Sequence, residues 1–212
     1  MTPEDQSKRN RALCARAPVI PVLVLDDPDA ARPLAEALVA GGLPALEVTL
    51  RTPAALDCIR AMAAVAGGVV GAGTLLTPED VRAAKAAGAR FGVSPGATDR
   101  LLQACVDEDL PLLAGAATAT EAMALLERGW DMLKFFPAEA AGGAPALRAI
   151  GAPIPQVAFC PTGGVSPGNK ADYLALPNVV CVGGSWVAPK DMVAAGDWSG
   201  IEALAREAAG GR

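Results

Sequence analysis

Residues 45–75, ALEVTLRTPAALDCIRAMAAVAGGVVGAGTL, read in succession as strand, helix and strand. ALEVTL alternates apolar and polar side chains, the following stretch is rich in Ala, and VVGAGTL is a run of apolar and small residues. The same unit recurs along the chain. Strand-like runs begin at Val19 (VIPVLVL), Phe91 (FGVSPG), Leu110 (LPLLAG), Asp131 (DMLKFF), Gln156 (QVAFCPTGG) and Val179 (VVCVGGSW). Ala- and Leu-rich helical stretches fall at 28–41, 53–66, 78–87, 98–107, 118–128 and 168–176. Thr52-Pro53, Thr77-Pro78 and Ser166-Pro167 each read as an N-cap followed by the first helical residue, and Gly41, Gly88 and Gly129 stand where helices should stop.

About eight strand–helix units in one domain predict a (β/α)8 barrel, near the lower size limit of that fold. A doubly wound open sheet is the alternative, and no GxGxxG follows the first strand to favour it. Residues 1–17 (through MTPEDQSKRNRALCARA) mix acids with bases and have no apolar core of secretory length. They are expected to form a short N-terminal capping helix, with the barrel domain at 18–212.

Composition narrows the function classes. The 212 residues are 52% hydrophobic and 19% charged, which suits a tightly packed α/β domain and argues against disorder. A net charge of −5 gives no basic footprint for nucleic acid, and no apolar run is long enough to span a membrane. Five scattered cysteines with no CxxC pair read as core residues of a reduced, cytoplasmic protein. The chain has no histidine, which removes Ser-His-Asp and Cys-His mechanisms and the usual zinc ligands; no metal or cofactor is implied.

Against that background Lys134 stands out. It interrupts the apolar run Met132–Phe136, where an ammonium costs several kcal/mol unless it is paired or gives up its proton, and a neutral amine there is a nucleophile. A strand-end lysine reaching water is the plain alternative. Alternation puts Glu47, Thr49 and Arg51 on one face of the second strand. A barrel's outer face must be apolar, so Glu47 and Arg51 are expected to face its interior, as a structural ion pair or as part of a site near the C-terminal rim. Thr74 ends the third strand in parity with Ala72 and Val70, and Ser94-Pro95-Gly96 turns at the same rim. The last two strands end in Thr162-Gly163-Gly164 and Gly183-Gly184-Ser185. Glycines there let backbone N–H groups approach an anion, with the next helix start adding its positive end; a pair of plain turns is the alternative.

A buried lysine, a carboxylate, a cation and an anion cradle fit imine chemistry on a phosphorylated keto acid. The sequence resembles the 2-keto-3-deoxy-6-phosphogluconate (KDPG) and 4-hydroxy-2-oxoglutarate (KHG) aldolases. The resemblance rests on GGLPALEVTLRTP (41–53), VVGAGTLLTPED (69–80), FGVSPGATD (91–99), LKFFPAEAAGG (133–143), FCPTGGVSP (159–167) and VGGSWVAP (182–189), which run in family order. It implies a class I aldolase of the Entner–Doudoroff pathway on a (β/α)8 barrel, usually a homotrimer. Lys134 would form the Schiff base and Glu47 would be the general acid/base. Arg51, helped by Thr74, would bind the substrate carboxylate; Gly163, Gly164, Gly184 and Ser185 would hold the phosphate; Pro95, Phe136 and Thr162 would line the pocket. The one departure is Ala116-Ala117-Thr118, where a bulkier residue or a Ser is expected. Other readings are the KHG or galactonate-epimer reaction by the same mechanism, a phosphosugar isomerase using Glu47 as base, or a non-catalytic trimeric scaffold.

Overall fold

The computed structural model describes residues 1–210; positions 211 and 212, to which the barrel domain is expected to run, lie outside the described residues. Eight strands follow the chain: β1 (Val19–Leu23), β2 (Ala45–Thr49), β3 (Val69–Gly73), β4 (Gly92–Val93), β5 (Leu112–Ala116), β6 (Met132–Phe135), β7 (Ala158–Pro161) and β8 (Val182–Gly184). They pair in parallel in the order β7-β6-β5-β4-β3-β2-β1-β8. Bridges Phe159–Val179 and Thr162–Gly183 bring β7 against β8 and close the ring. The fold is a (β/α)8 barrel, as the repeated units predict.

The helices are α1 (Pro3–Cys14), α2 (Pro28–Ala40), α3 (Ala55–Ala63), α4 (Pro78–Ala86), α5 (Asp99–Asp107), α6 (Ala119–Glu127), α7 (Gly143–Gly151), α8 (Lys170–Leu174), α9 (Lys190–Ala195) and α10 (Trp198–Ala209). Strand alternation sorts the core into two layers. Leu46, Val48, Val70, Leu133 and Phe135 pack outward with the helices, whereas Ile20, Ala45, Phe91, Val93, Leu113 and Met132 fill the barrel itself. Two of the inward positions of β3, Gly71 and Gly73, are glycines, and a Cβ on Gly71 would lie 2.5 Å from the Phe91 ring that occupies its space.

Helix α1 closes the N-terminal end of the barrel with hydrogen bonds to strand starts. Gln6 Oε1 accepts from the Leu112 N–H at 3.1 Å, and Ser7 Oγ accepts from the Asp131 N–H at 3.0 Å.

The helix starts separate true caps from look-alikes. Thr77 forms a full capping box on α4: its hydroxyl accepts from the Asp80 N–H at 3.1 Å while the Asp80 carboxylate accepts from the Thr77 N–H at 2.9 Å. Thr52 does not cap α3, because its hydroxyl donates to the Leu25 carbonyl beyond β1, and the helix begins later, at Ala55. Ser166 does not cap α8 either: its N–H donates to Asn169 Oδ1 at 2.8 Å, and Asn169 takes the cap position. Three helices, α7, α9 and α10, lie outside the Ala- and Leu-rich stretches named above. One of them, α7, opens on Gly142 and Gly143, both with positive φ, a composition that reads as loop. Gly88 and Gly129 end their helices with φ of 100° and 90°, but beyond α2 the left-handed residue is Gly42 and not Gly41.

Candidate active site

Lys134 on β6 and Glu47 on β2 both point inward, are 4% and 3% exposed, and place Nζ 3.6 Å from Oε1. Two charges this deep are tolerable only as a pair, because each offsets the lost hydration of the other. The separation is an ion pair and too long for a hydrogen bond. Glu47 Oε1 has no hydrogen-bond partner among the described residues. A buried acceptor left open next to an amine is a place that a water or a substrate hydroxyl would fill. The Phe136 ring lies 4.9 Å from Nζ and adds a cation–π contact.

Space for Glu47 is made by Gly73 on the neighbouring strand. A Cβ there would sit 2.2 Å from Glu47 Oε1 and 2.7 Å from its Cγ. Gly73→Ala is therefore expected to push the carboxylate away from Lys134 and to lower kcat/KM by about 10²-fold, since a shift near 1 Å has that effect on a positioned group. Retained folding by circular dichroism with that loss supports the geometry, and unchanged turnover contradicts it.

Arg51 departs from the sequence expectation. Strand β2 ends at Thr49, so the alternation that should carry Arg51 inward stops short, and Arg51 is exposed on the rim. Its Nε donates to Thr74 Oγ1 at 3.2 Å, and it forms no ion pair among the described residues. Thr74 has φ of 62°, in the left-handed region that a β-branched residue rarely enters. Such a conformation costs about 1–3 kcal/mol and tends to mark functional segments. Here it breaks the outward parity of Val70 and Ala72 and leaves the hydroxyl as Arg51's acceptor at the mouth.

The two glycine segments lie side by side through the Thr162–Gly183 bridge; a Cβ on Gly183 would be 2.3 Å from Thr162 Oγ1. Gly163 and Gly164 have φ of 101° and 81°, which favour glycine, and a Cβ on Gly163 would touch the Phe136 ring at 3.2 Å. One ring thus borders both the amine and the glycine turn. Gly184 ends β8 beneath the Trp186 ring, and Ser185 beyond it is exposed. One expected feature is missing: α8 and α9 begin at Lys170 and Lys190, so neither glycine pair opens directly into a helix. Pro95 reaches the same rim, its carbonyl lying 2.2 Å from where a Gly115 Cβ would be, and Gly115 is in register with Lys134.

A contact behind the glycine turns joins residues distant in the sequence. Buried Tyr173 donates its hydroxyl to Glu139, whose side chain packs over Gly164. Burial first, and then that carboxylate, push the phenol well above its ordinary range. Glu139 belongs to LKFFPAE, so its motif was visible although its partner was not. Thr118, at the atypical Ala116–Thr118 segment, forms a capping box on α6 with Glu121. Burial pushes the Cys58 thiol up to about 11 and Cys105 up to about 12, which leaves them inert core groups.

The family model for KDPG and KHG aldolase matches residues 11–204. The 2-dehydro-3-deoxy-phosphogluconate aldolase of Pseudoalteromonas atlantica is 51% identical over 93% of this chain and 92% of its own. The crystal structure of the Zymomonas mobilis 2-keto-3-deoxy-6-phosphogluconate aldolase with 3-phosphoglycerate superposes with a TM-score of 0.93 at 48% identity, covering 97% of each chain. The Legionella pneumophila KDPG aldolase, with pyruvate captured as a covalent carbinolamine, has a TM-score of 0.91 at 47% identity over 94% of this chain and 97% of that one.

Proposed function

The chain belongs to the KDPG and KHG aldolase family, and we propose that it is a class I aldolase cleaving 2-keto-3-deoxy-6-phosphogluconate to pyruvate and glyceraldehyde 3-phosphate. The observation that carries the chemistry is the buried Lys134–Glu47 pair inside the barrel.

In this reading Glu47 takes the proton of Lys134, and the free amine adds to the C2 ketone of the substrate. Glu47 returns that proton to the hydroxyl of the resulting carbinolamine, which leaves as water, giving a protonated imine and restoring the carboxylate. Glu47, through a water in the open position beside Oε1, accepts the proton of the C4 hydroxyl. The C3–C4 bond breaks, its electron pair flows toward the imine to form an enamine, and glyceraldehyde 3-phosphate leaves. Protonation at C3 and hydrolysis then release pyruvate and restore the amine. Arg51, oriented by Thr74, holds the substrate carboxylate so that C2 meets Nζ in a reactive geometry. Gly163, Gly164, Gly184 and Ser185 receive the phosphate, and Pro95, Phe136 and Thr162 shape the walls.

Pyruvate release, followed with lactate dehydrogenase and NADH, tests the choice of substrate. KDPG is expected to exceed KHG in kcat/KM by about 10–100-fold, the worth of one charge-assisted phosphate contact or more. Equal turnover of both would assign the phosphate-free reaction, and a preference for the galactonate epimer would reassign the C4 stereochemistry.

The same reading makes the chain a homotrimer in the cytoplasm. The trimer follows from the family resemblance. The compartment is supported by the five free cysteines, all buried. Among the described residues no helix is long and apolar enough to cross a membrane. Light scattering is expected to give three times the 21.3 kDa chain mass, and a single-chain mass contradicts the trimer.

A further inference from the structure

At the N-terminal end of the barrel, opposite the Lys134 mouth, lies an open cavity of about 790 Å³. Four cations, Arg9, Arg16, Lys85 and Arg90, line it on a chain whose net charge is −5. The acid among them is already engaged: Asp109 takes the Met1 ammonium at 2.5 Å, and that hydrogen bond holds its carboxyl below the ordinary range. Lys85 Nζ donates to the Asp109 carbonyl at 3.1 Å. Arg9, Arg16 and Arg90 form no ion pair among the described residues.

A second observation is independent of the charges. Asn10 also lines the cavity, is 1% exposed, and its Nδ2 has no hydrogen-bond partner among the described residues. Buried donors are ordinarily satisfied, and an amide NH₂ left open among cations calls for an oxygen acceptor. The negative C-terminal ends of α1 and α4 account for Arg16 and Lys85. They do not account for Arg9, inside α1, or for the open donor of Asn10.

We propose that this cavity is a second ligand site, for a small polyanion such as a phosphorylated or polycarboxylate metabolite, distinct from the substrate site. The volume is that of a metabolite pocket and exceeds what a lone oxyanion needs. Arg9 and Lys85 share the one acid of the lining, Asp109, with the Met1 ammonium, so the four cations leave the cavity an excess of positive charge that a polyanion would neutralise. Binding weakens as salt is raised, because the guanidinium groups are exposed and screened.

Inorganic pyrophosphate is the probe, titrated calorimetrically at low ionic strength into the wild type and into Arg9→Gln/Arg90→Gln, with Asn10→Ala as a second variant. The wild type is expected to show two classes of site per chain, one at the substrate mouth and one here. The double variant weakens one class by about tenfold, as expected for losing two partly exposed charges, while kcat/KM for pyruvate release stays unchanged. Asn10→Ala weakens the same class. A single class in the wild type, or two classes that neither variant moves, overturns the proposal.

Discussion

Replacing Lys134 with methionine is expected to lower kcat/KM for aldol cleavage by about 10⁵-fold or more, the low end of what an intramolecular, oriented nucleophile contributes. Methionine keeps the length and apolar stem of the side chain but has no amine, so no imine forms. The variant should also be less stable. It leaves Glu47, 3% exposed, without the cation 3.6 Å away, and breaking a buried pair costs about 3–5 kcal/mol. Adding Glu47→Gln removes the orphaned charge, so the double variant should regain much of the melting temperature and none of the activity. That pattern separates lost chemistry from lost folding. A Lys134→Met protein that keeps more than about one part in a hundred of its activity would exclude the amine as nucleophile, because the remaining groups supply only proton transfer worth about 10²–10⁴-fold.

Glu47→Gln alone carries the second large effect. The amide preserves shape but neither accepts the Lys134 proton nor relays that of the C4 hydroxyl, so kcat should fall by about 10²–10⁴-fold. KM should change little, because in the proposed reading the substrate carboxylate sits on Arg51 and the phosphate on the glycine turns, both apart from Glu47. Steady-state kinetics with the lactate dehydrogenase assay reads both constants. A loss carried by KM, or a fall in kcat of less than about tenfold, would make Glu47 a structural counter-ion only.

The strands were legible because their evidence is local. Short apolar runs sufficed to place eight strands, and alternation turned Glu47 toward the barrel interior, where the structure pairs it with Lys134. Parity failed where the strand geometry stopped. Arg51 lies past the end of β2, and Thr74 adopts a left-handed φ, so strand alternation describes neither, and a hydrogen bond joins them at the rim. Cap chemistry was ambiguous for a similar reason. Thr52 and Thr77 each precede proline, but only Thr77 has an Asp three residues on to complete the box, and the Thr52 hydroxyl is taken by Leu25. The glycine turns were readable as turns, whereas the start of the next helix was not. The pairing of Tyr173 with Glu139 and the cationic floor beneath α1 join residues distant in sequence, and single-strand periodicity holds no trace of them.

The proposed imine between Lys134 and pyruvate is covalent and can be trapped directly. The protein is incubated with pyruvate, reduced with borohydride, digested and mapped by peptide mass spectrometry. Five lysines compete (Lys8, Lys85, Lys134, Lys170 and Lys190), and only Lys134 lies inside the barrel beside a carboxylate. A reduced pyruvyl adduct is expected on Lys134, dependent on pyruvate and absent from the other four. An unmodified Lys134 in folded protein, or an adduct spread over the surface lysines, would contradict it.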